Sequence, residues 1–139
     1  MIAVDSSVVI AGLLSWHEFH ERAVKALEKA MSGERLLLPL PALIESYSVM
    51  TRLPSPHRLR PEDAHKLLHE SFGDARVVAL PPQKGWDFLG ACVTTATSGG
   101  RVYDALIAST ALESRARELL TINPRDFEAF SDRLAIVVP

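Results

Sequence analysis

The sequence predicts an α/β fold, a single domain over residues 1–139 in which a parallel sheet of about five strands is flanked by helices. Two observations lead there. Five short apolar runs, Ile2–Val4, Leu36–Leu38, Val77–Leu80, Leu119–Ile122 and Ala135–Val138, are continuous rather than alternating, as strands covered on both faces are. Between them lie stretches with three-and-four apolar spacing, and strands that alternate with helices pair in parallel through crossover connections.

Taken in order, Asp5 follows the first strand and Ser6–Leu14 reads as a short helix. From His17 to Met31, Phe19, Ala23, Val24, Leu27, Ala30 and Met31 recur on one face of a second helix. Pro41 suits the first turn of a third, which is expected to turn Leu43, Ile44, Tyr47, Met50 and Leu53 inward. Pro61-Glu62-Asp63 opens a fourth, with acids where the helix dipole favours them. Pro82 starts a fifth, through Trp86, Leu89, Val93 and Ala96. Tyr103–Leu112 is apolar almost all round and is expected to be the most buried helix. Pro54, Pro56 and Gly99-Gly100 punctuate the pattern.

A balance of 47% hydrophobic and 23% charged residues is that of a globular chain. Cys92 is the single cysteine, so no intramolecular disulfide forms, which suits a reducing cytoplasm. The run Val8–Leu14 is too short to span a bilayer and lacks a preceding positive region, so no membrane association is expected. The formal net charge of −2 gives no support to a protein that grips nucleic acid by its phosphates. Carboxylates gathered at a metal site would account for part of that acidity.

Those carboxylates are the informative residues. Ligands of open α/β sheets bind beyond the carboxyl ends of the strands, where strand order reverses. Asp5 directly follows the first strand, Glu45 lies early in the helix after the second, and Thr121, Asn123 and Asp126 lie at and after the end of the fourth. Asp104 stands among Val102, Tyr103, Ala105, Leu106 and Ile107, where an unpartnered charge costs several kcal/mol. Each acid alone has an ordinary explanation: Asp5 or Asp104 as a helix cap, Glu45 on an exposed stripe. Together they fall at one sheet edge, where mutual repulsion raises their pKa values unless a cation joins them. Mg²⁺ or Mn²⁺ suits oxygen ligands of this kind, and such an ion supports phosphodiester hydrolysis without any His or Cys.

Four stretches, Ile2-Ala3-Val4-Asp5-Ser6-Ser7-Val8-Val9-Ile10, Leu-Pro-x-x-Leu-Ile-Glu45, Tyr103-Asp104-Ala105-Leu106-Ile107-Ala108 and Leu120-Thr121-Ile122-Asn123-Pro124-Arg125-Asp126-Phe127, resemble the motifs of PIN-domain nucleases, in order and over essentially the whole chain. Within them the chain is most similar to VapC-type toxins of bacterial toxin–antitoxin pairs. The resemblance implies a Rossmann-like sheet, an acidic pocket holding Mg²⁺ or Mn²⁺, endonucleolytic cleavage of RNA, a homodimer, and inhibition by a small VapB-type antitoxin. It implies that Asp5, Glu45 and Asp104 are the principal acids and Thr121 a polar residue of the pocket. Where the family often carries a fourth acid, this chain has Asn123, which keeps a carbonyl ligand but loses the charge. Asp126, three residues on, is the alternative, and a surface loop residue is its ordinary reading.

Arg52, His57, Arg58 and Arg60 form a basic stretch and Arg101 precedes Asp104, so Arg52, Arg58, Arg60 and Arg101 are candidates for touching RNA phosphates. His65 and His69 stand at i and i+4 but are read as a solvated face, and Trp16 and Phe19 as core or partner surface. Two rival functions stay open. A catalytically silent PIN-like module binding RNA or protein is opposed by the presence of Asp5, Glu45 and Asp104 but kept open by Asn123. A receiver-like signalling domain needs an Asp at the end of the third strand and a Lys after the fifth, whereas Leu80 runs into Pro81-Pro82 and the sequence stops at Pro139.

Overall fold

A computed structural model describes residues 1–139. Five parallel strands, β1 (Ile2–Val4), β2 (Leu36–Pro39), β3 (Arg76–Val78), β4 (Glu118–Leu120) and β5 (Ala135–Val137), form one sheet in the order β3-β2-β1-β4-β5. The helices are α1 (Ser6–Leu13), α2 (His20–Ser32), α3 (Leu40–Met50), α4 (Pro61–Phe72), α5 (Gly85–Thr94) and α6 (Arg101–Glu113), with 3-10 turns at Pro82–Lys84 and Pro124–Phe130. Strand order reverses between β1 and β4, so the carboxyl ends of those two strands flank the crevice of the sheet.

The core lies on both faces of the sheet. On one, Val4, Leu36, Leu38 and Leu120 meet Val8, Val9, Leu27, Met50 and Leu68. On the other, Ala3, Leu37 and Leu119 meet Ile107, Ala108, Ala111 and Phe127. Burial on both faces holds for the central strands. At the edges Arg76 and Val77 of β3 and Ala135 of β5 are exposed, because an edge strand lacks a neighbour to complete its cover. No helix is long and apolar enough to cross a membrane.

Several helices differ from expectation. α2 begins at His20, because the His17 ring accepts the Phe19 N–H and holds 17–19 in a turn. α3 buries Ala42, Ser46 and Met50 at i, i+4 and i+8, with the Ser46 hydroxyl satisfied by the Ala42 carbonyl at 2.7 Å. Ile44 and Tyr47 therefore face outward at 60% and 37% exposure rather than inward. α5 lies at the periphery with only Cys92 buried, leaving Trp86 and Val93 in solvent. The most enclosed helix is α1, half of whose eight residues are buried, rather than α6, which covers the sheet with Ala105, Ile107, Ala108, Thr110 and Ala111 but leaves Tyr103 60% exposed.

Candidate functional site

The site begins where β1 ends. Asp5 is the N-cap residue of α1 (φ −83°, ψ 157°), and its carbonyl accepts the Val8 and Val9 N–H groups. Its side chain does no capping. The carboxylate, 4% exposed, accepts Thr121 Oγ1 (2.8 Å) and Ser7 Oγ (2.7 Å) at Oδ2, and Ser6 Oγ lies 3.2 Å from Oδ1. Hydroxyl donors of this kind fix a buried carboxylate in direction. Thr121 is fully buried just past β4, so this hydrogen bond crosses the point where the strand order reverses.

Ser7 reinforces the link by accepting the Ile122 N–H at 3.1 Å. Ser6 reaches the other way, donating to Glu45 Oε1 of α3. One hydroxyl proton serves two carboxylates there, so the Asp5–Glu45 pair is only partly compensated by the protein. The sequence reading passed over Ser6 and Ser7; their signal was two hydroxyls directly after an Asp at a strand-to-helix junction.

Asp104 is in the first turn of α6, whose N-cap is Gly100, so it is not a capping residue. Burial, followed by the facing charges of Asp126, Asp5 and Glu45, pushes its carboxyl up to about 6, while Arg101 draws it down. The four acids thus converge electrostatically on one edge with one facing cation among them. They do not close on a common point: no three Asp, Glu, His or Cys side chains form a cage for an ion. That looseness fits Mg²⁺ or Mn²⁺, which keep several waters and take one or two carboxylates plus substrate oxygens, and not a dedicated all-protein cage.

Asn123 brings its backbone N–H to the site, donated to Thr121 Oγ1 (3.0 Å), while the charge facing Asp104 from this segment comes from Asp126 in the following 3-10 turn. Of the basic residues, Arg52 borders a trough that Glu45 also lines, and Arg101 faces Asp104. Arg58 instead donates to the Leu53 carbonyl (2.9 Å), and Arg60 pairs with Asp63 (3.2 Å) and Glu62 (3.7 Å). His57 stacks on Trp16 with ring centroids 4.1 Å apart, and His65 and His69 lie parallel on α4, away from the acids, in a groove with Tyr47 and Val77.

Known proteins resemble this chain in sequence and in fold. The PIN domain family matches residues 2–132. Ribonuclease VapC40 of Mycobacterium tuberculosis is 38% identical over 138 residues, 99% of this chain and 97% of that protein. Among solved structures, M. tuberculosis VapC20, described as a sarcin-ricin loop cleaving toxin, superposes with a TM-score of 0.65 at 14% identity over 86% of this chain and 87% of that one. FitAcB from Neisseria gonorrhoeae superposes at 0.66 and 18% identity over 98% and 96%. At those identities the two structures show a common fold. The family match over nearly the whole length, with the VapC40 identity, places this chain in the PIN-domain family, among the VapC ribonucleases.

Proposed function

We propose that the chain is the toxin of a toxin–antitoxin pair, an endoribonuclease that hydrolyses RNA phosphodiesters with Mg²⁺ or Mn²⁺ held by Asp5, Glu45 and Asp104. The observation that carries this is the half-buried carboxyl of Asp104, facing Asp126, Asp5 and Glu45 at the switch point of the sheet. Such a cluster is repulsive by itself and is relieved by a divalent cation.

Asp5, oriented by Ser7 and Thr121, is the rigid ligand, and Glu45 and Asp104 approach from α3 and α6. A bound ion supplies a polarised phosphoryl oxygen and a water of lowered pKa. Water adds to phosphorus and one P–O ester bond breaks, leaving a phosphate monoester and an alcohol. Asp126 contributes charge from one step further out, and Thr121 fixes Asp5 without touching substrate. Arg101 and Arg52 are placed to meet phosphates beside the acids.

The ribonuclease and VapC names of the relatives support RNA as substrate and a small VapB-type antitoxin as partner. In this reading the toxin is a cytoplasmic homodimer, and the antitoxin's C-terminal segment lies across the Asp5 pocket and presents a basic residue to it. The test is cleavage of total cellular RNA with Mg²⁺, Mn²⁺ or EDTA, beside Asp104→Asn. Metal-dependent fragments absent with the variant are expected. Neither cleavage nor calorimetric metal binding would leave a silent binding module, the reading that Asn123 keeps open.

A further inference from the structure

α4 carries a histidine pair that the acidic cluster does not use. His65 and His69 stand at i and i+4, so both rings rise from one stripe of the helix. Their planes are 13° from parallel and their centroids 5.9 Å apart, so the two imidazoles already lie side by side. Both residues are exposed.

What sets this pair apart is its free nitrogens. Of the five histidines, His17 uses Nδ1 to accept the Phe19 N–H, His20 Nδ1 lies 2.8 Å from the Ala11 carbonyl, and His57 is stacked on Trp16. His65 and His69 form no hydrogen bond and no ion pair within the chain. The adjacent Lys66 and Glu70 pair with each other at 3.9 Å. A Cβ on Gly73 would lie 3.4 Å from both Nε2 and Cε1 of His69, so a glycine there leaves the space beside that nitrogen open.

The two rings also line a groove of about 350 Å³, in which Tyr47 is the one other side chain with a polar atom. No carboxylate lines it, so its donor set is nitrogen where that of the acidic cluster is oxygen. Imidazole suits Zn²⁺, Ni²⁺ and Cu²⁺, whereas carboxylate and water suit Mg²⁺ and Mn²⁺. Two histidines at i and i+4 on one helix face are a spacing that binds zinc. His69 stands in the last turn of α4, where the helix dipole favours a positive charge.

We propose that His65 and His69 chelate one divalent transition-metal ion of the zinc, nickel and copper class, at a site separate from the carboxylates. No third His, Cys, Asp or Glu side chain joins them, so water completes the coordination. The ion staples two turns of α4, which packs against α1 and α3, the helices that begin after Asp5 and carry Glu45. The proposal stands independently of the ribonuclease reading.

The test is electron paramagnetic resonance of the full chain with one equivalent of Cu²⁺, beside His65→Gln, His69→Gln and the double variant. Nitrogen ligands split the copper signal and carboxylate oxygens do not, so an ion on Asp5, Glu45 and Asp104 is silent in this readout. Splitting from two nitrogens is expected in wild type, reduced in each single variant and absent from the double one, while His57→Gln changes nothing. In calorimetry with excess Mg²⁺, Ni²⁺ affinity is expected to fall at least about tenfold in either single variant, because a chelate becomes a single contact. Ni²⁺ should raise the Tm of wild type further than that of the double variant.

Nitrogen splitting that survives in the double variant puts the ion elsewhere and overturns the proposal. So does a wild-type Ni²⁺ affinity no better than that of a single variant, which leaves the pair a solvated face. A sedimentation mass that doubles with Ni²⁺ makes the ion a bridge between copies and overturns the chelate within one chain. Mn²⁺ affinity should be equal in wild type and the double variant; its loss in the variant overturns the separation of this site from the acids.

Discussion

Thr121 Oγ1 donates to Asp5 Oδ2 at 2.8 Å, tying the end of β4 to the end of β1 across the one place where the sheet reverses its order. Both residues are buried, and the same Oγ1 accepts the Asn123 N–H. A hydrogen bond to a buried charge contributes about 1.5–3 kcal/mol. Thr121→Val keeps the shape and removes the donor, so it is expected to lose about that much stability in urea unfolding and to weaken Mn²⁺ binding. Thr121→Ser is expected to recover both. Unchanged stability and Mn²⁺ affinity in Thr121→Val would show that Ser6 and Ser7 alone hold Asp5.

Asp104 gives a pH-dependent prediction. Its folded-state carboxyl titrates near 6, above the ordinary carboxylate value, so the folded chain holds a proton that the unfolded chain has released. Its stabilising contribution is therefore complete below about pH 4 and is lost as pH rises through about 6. Without metal at pH 7.5, Asp104→Asn is expected to be more stable than wild type by about 1 kcal/mol once solvent screening of this half-exposed group is allowed for. The gap should close near pH 4, and Mg²⁺ should reverse the order by stabilising only the wild type. The same variant should cut no RNA. Thermal unfolding at pH 4.5 and 7.5, with and without Mg²⁺, checks this; a variant that is less stable at every pH would make Asp104 a structural residue.

How much of this was legible in the sequence depended on distance along the chain. Asp5, Glu45 and Asp104 were readable because each follows a strand or opens a helix, and the rule for sheet edges then gathers them. The strand cores were equally plain, since Leu36–Leu38 has no polar residue to give it an exposed face. What stayed hidden were choices made by packing. Ile44 and Tyr47 share a helix with Met50, and periodicity alone offers two apolar stripes on it; only the small pair Ala42 and Ser46 lets α3 approach the sheet. Likewise the hydroxyl link from Ser7 to Ile122 joins residues that are 115 apart, and no local pattern signals it.

Asp126 stands where its charge acts on Asp104 more than that of Asp5 or Glu45 does, yet it belongs to a 3-10 turn beyond the acids that α1, α3 and α6 present. Asp126→Asn should therefore relieve repulsion without removing a direct ligand. The expected result is a loss of at most about tenfold in Mn²⁺ affinity, about 1.4 kcal/mol, with cleavage retained. Isothermal calorimetry beside an RNA cleavage assay measures both. Complete loss of metal binding would make Asp126 the fourth ligand in place of Asn123.

The scaffold offers a prediction away from the acids. A Cβ on Gly12 of α1 would lie 2.6 Å from Leu27 Cδ1 of α2, inside the core that fixes how α1 leaves Asp5. Alanine favours a helix over glycine by about 1 kcal/mol, whereas forcing an extra methyl into a packed core costs about 1–3 kcal/mol. Leu27 is 6% exposed, so its methyl has no solvent to retreat into, and the packing cost should win. Gly12→Ala is expected to lose up to about 2 kcal/mol. Combined with Leu27→Ala, the loss should be smaller than the sum of the two single losses, because the truncated side chain leaves room for the new methyl. Additive losses in chemical denaturation would mean that α1 and α2 shift apart to admit the methyl, and such a shift should also lower Mn²⁺ affinity through Ser6 and Ser7 at the head of α1.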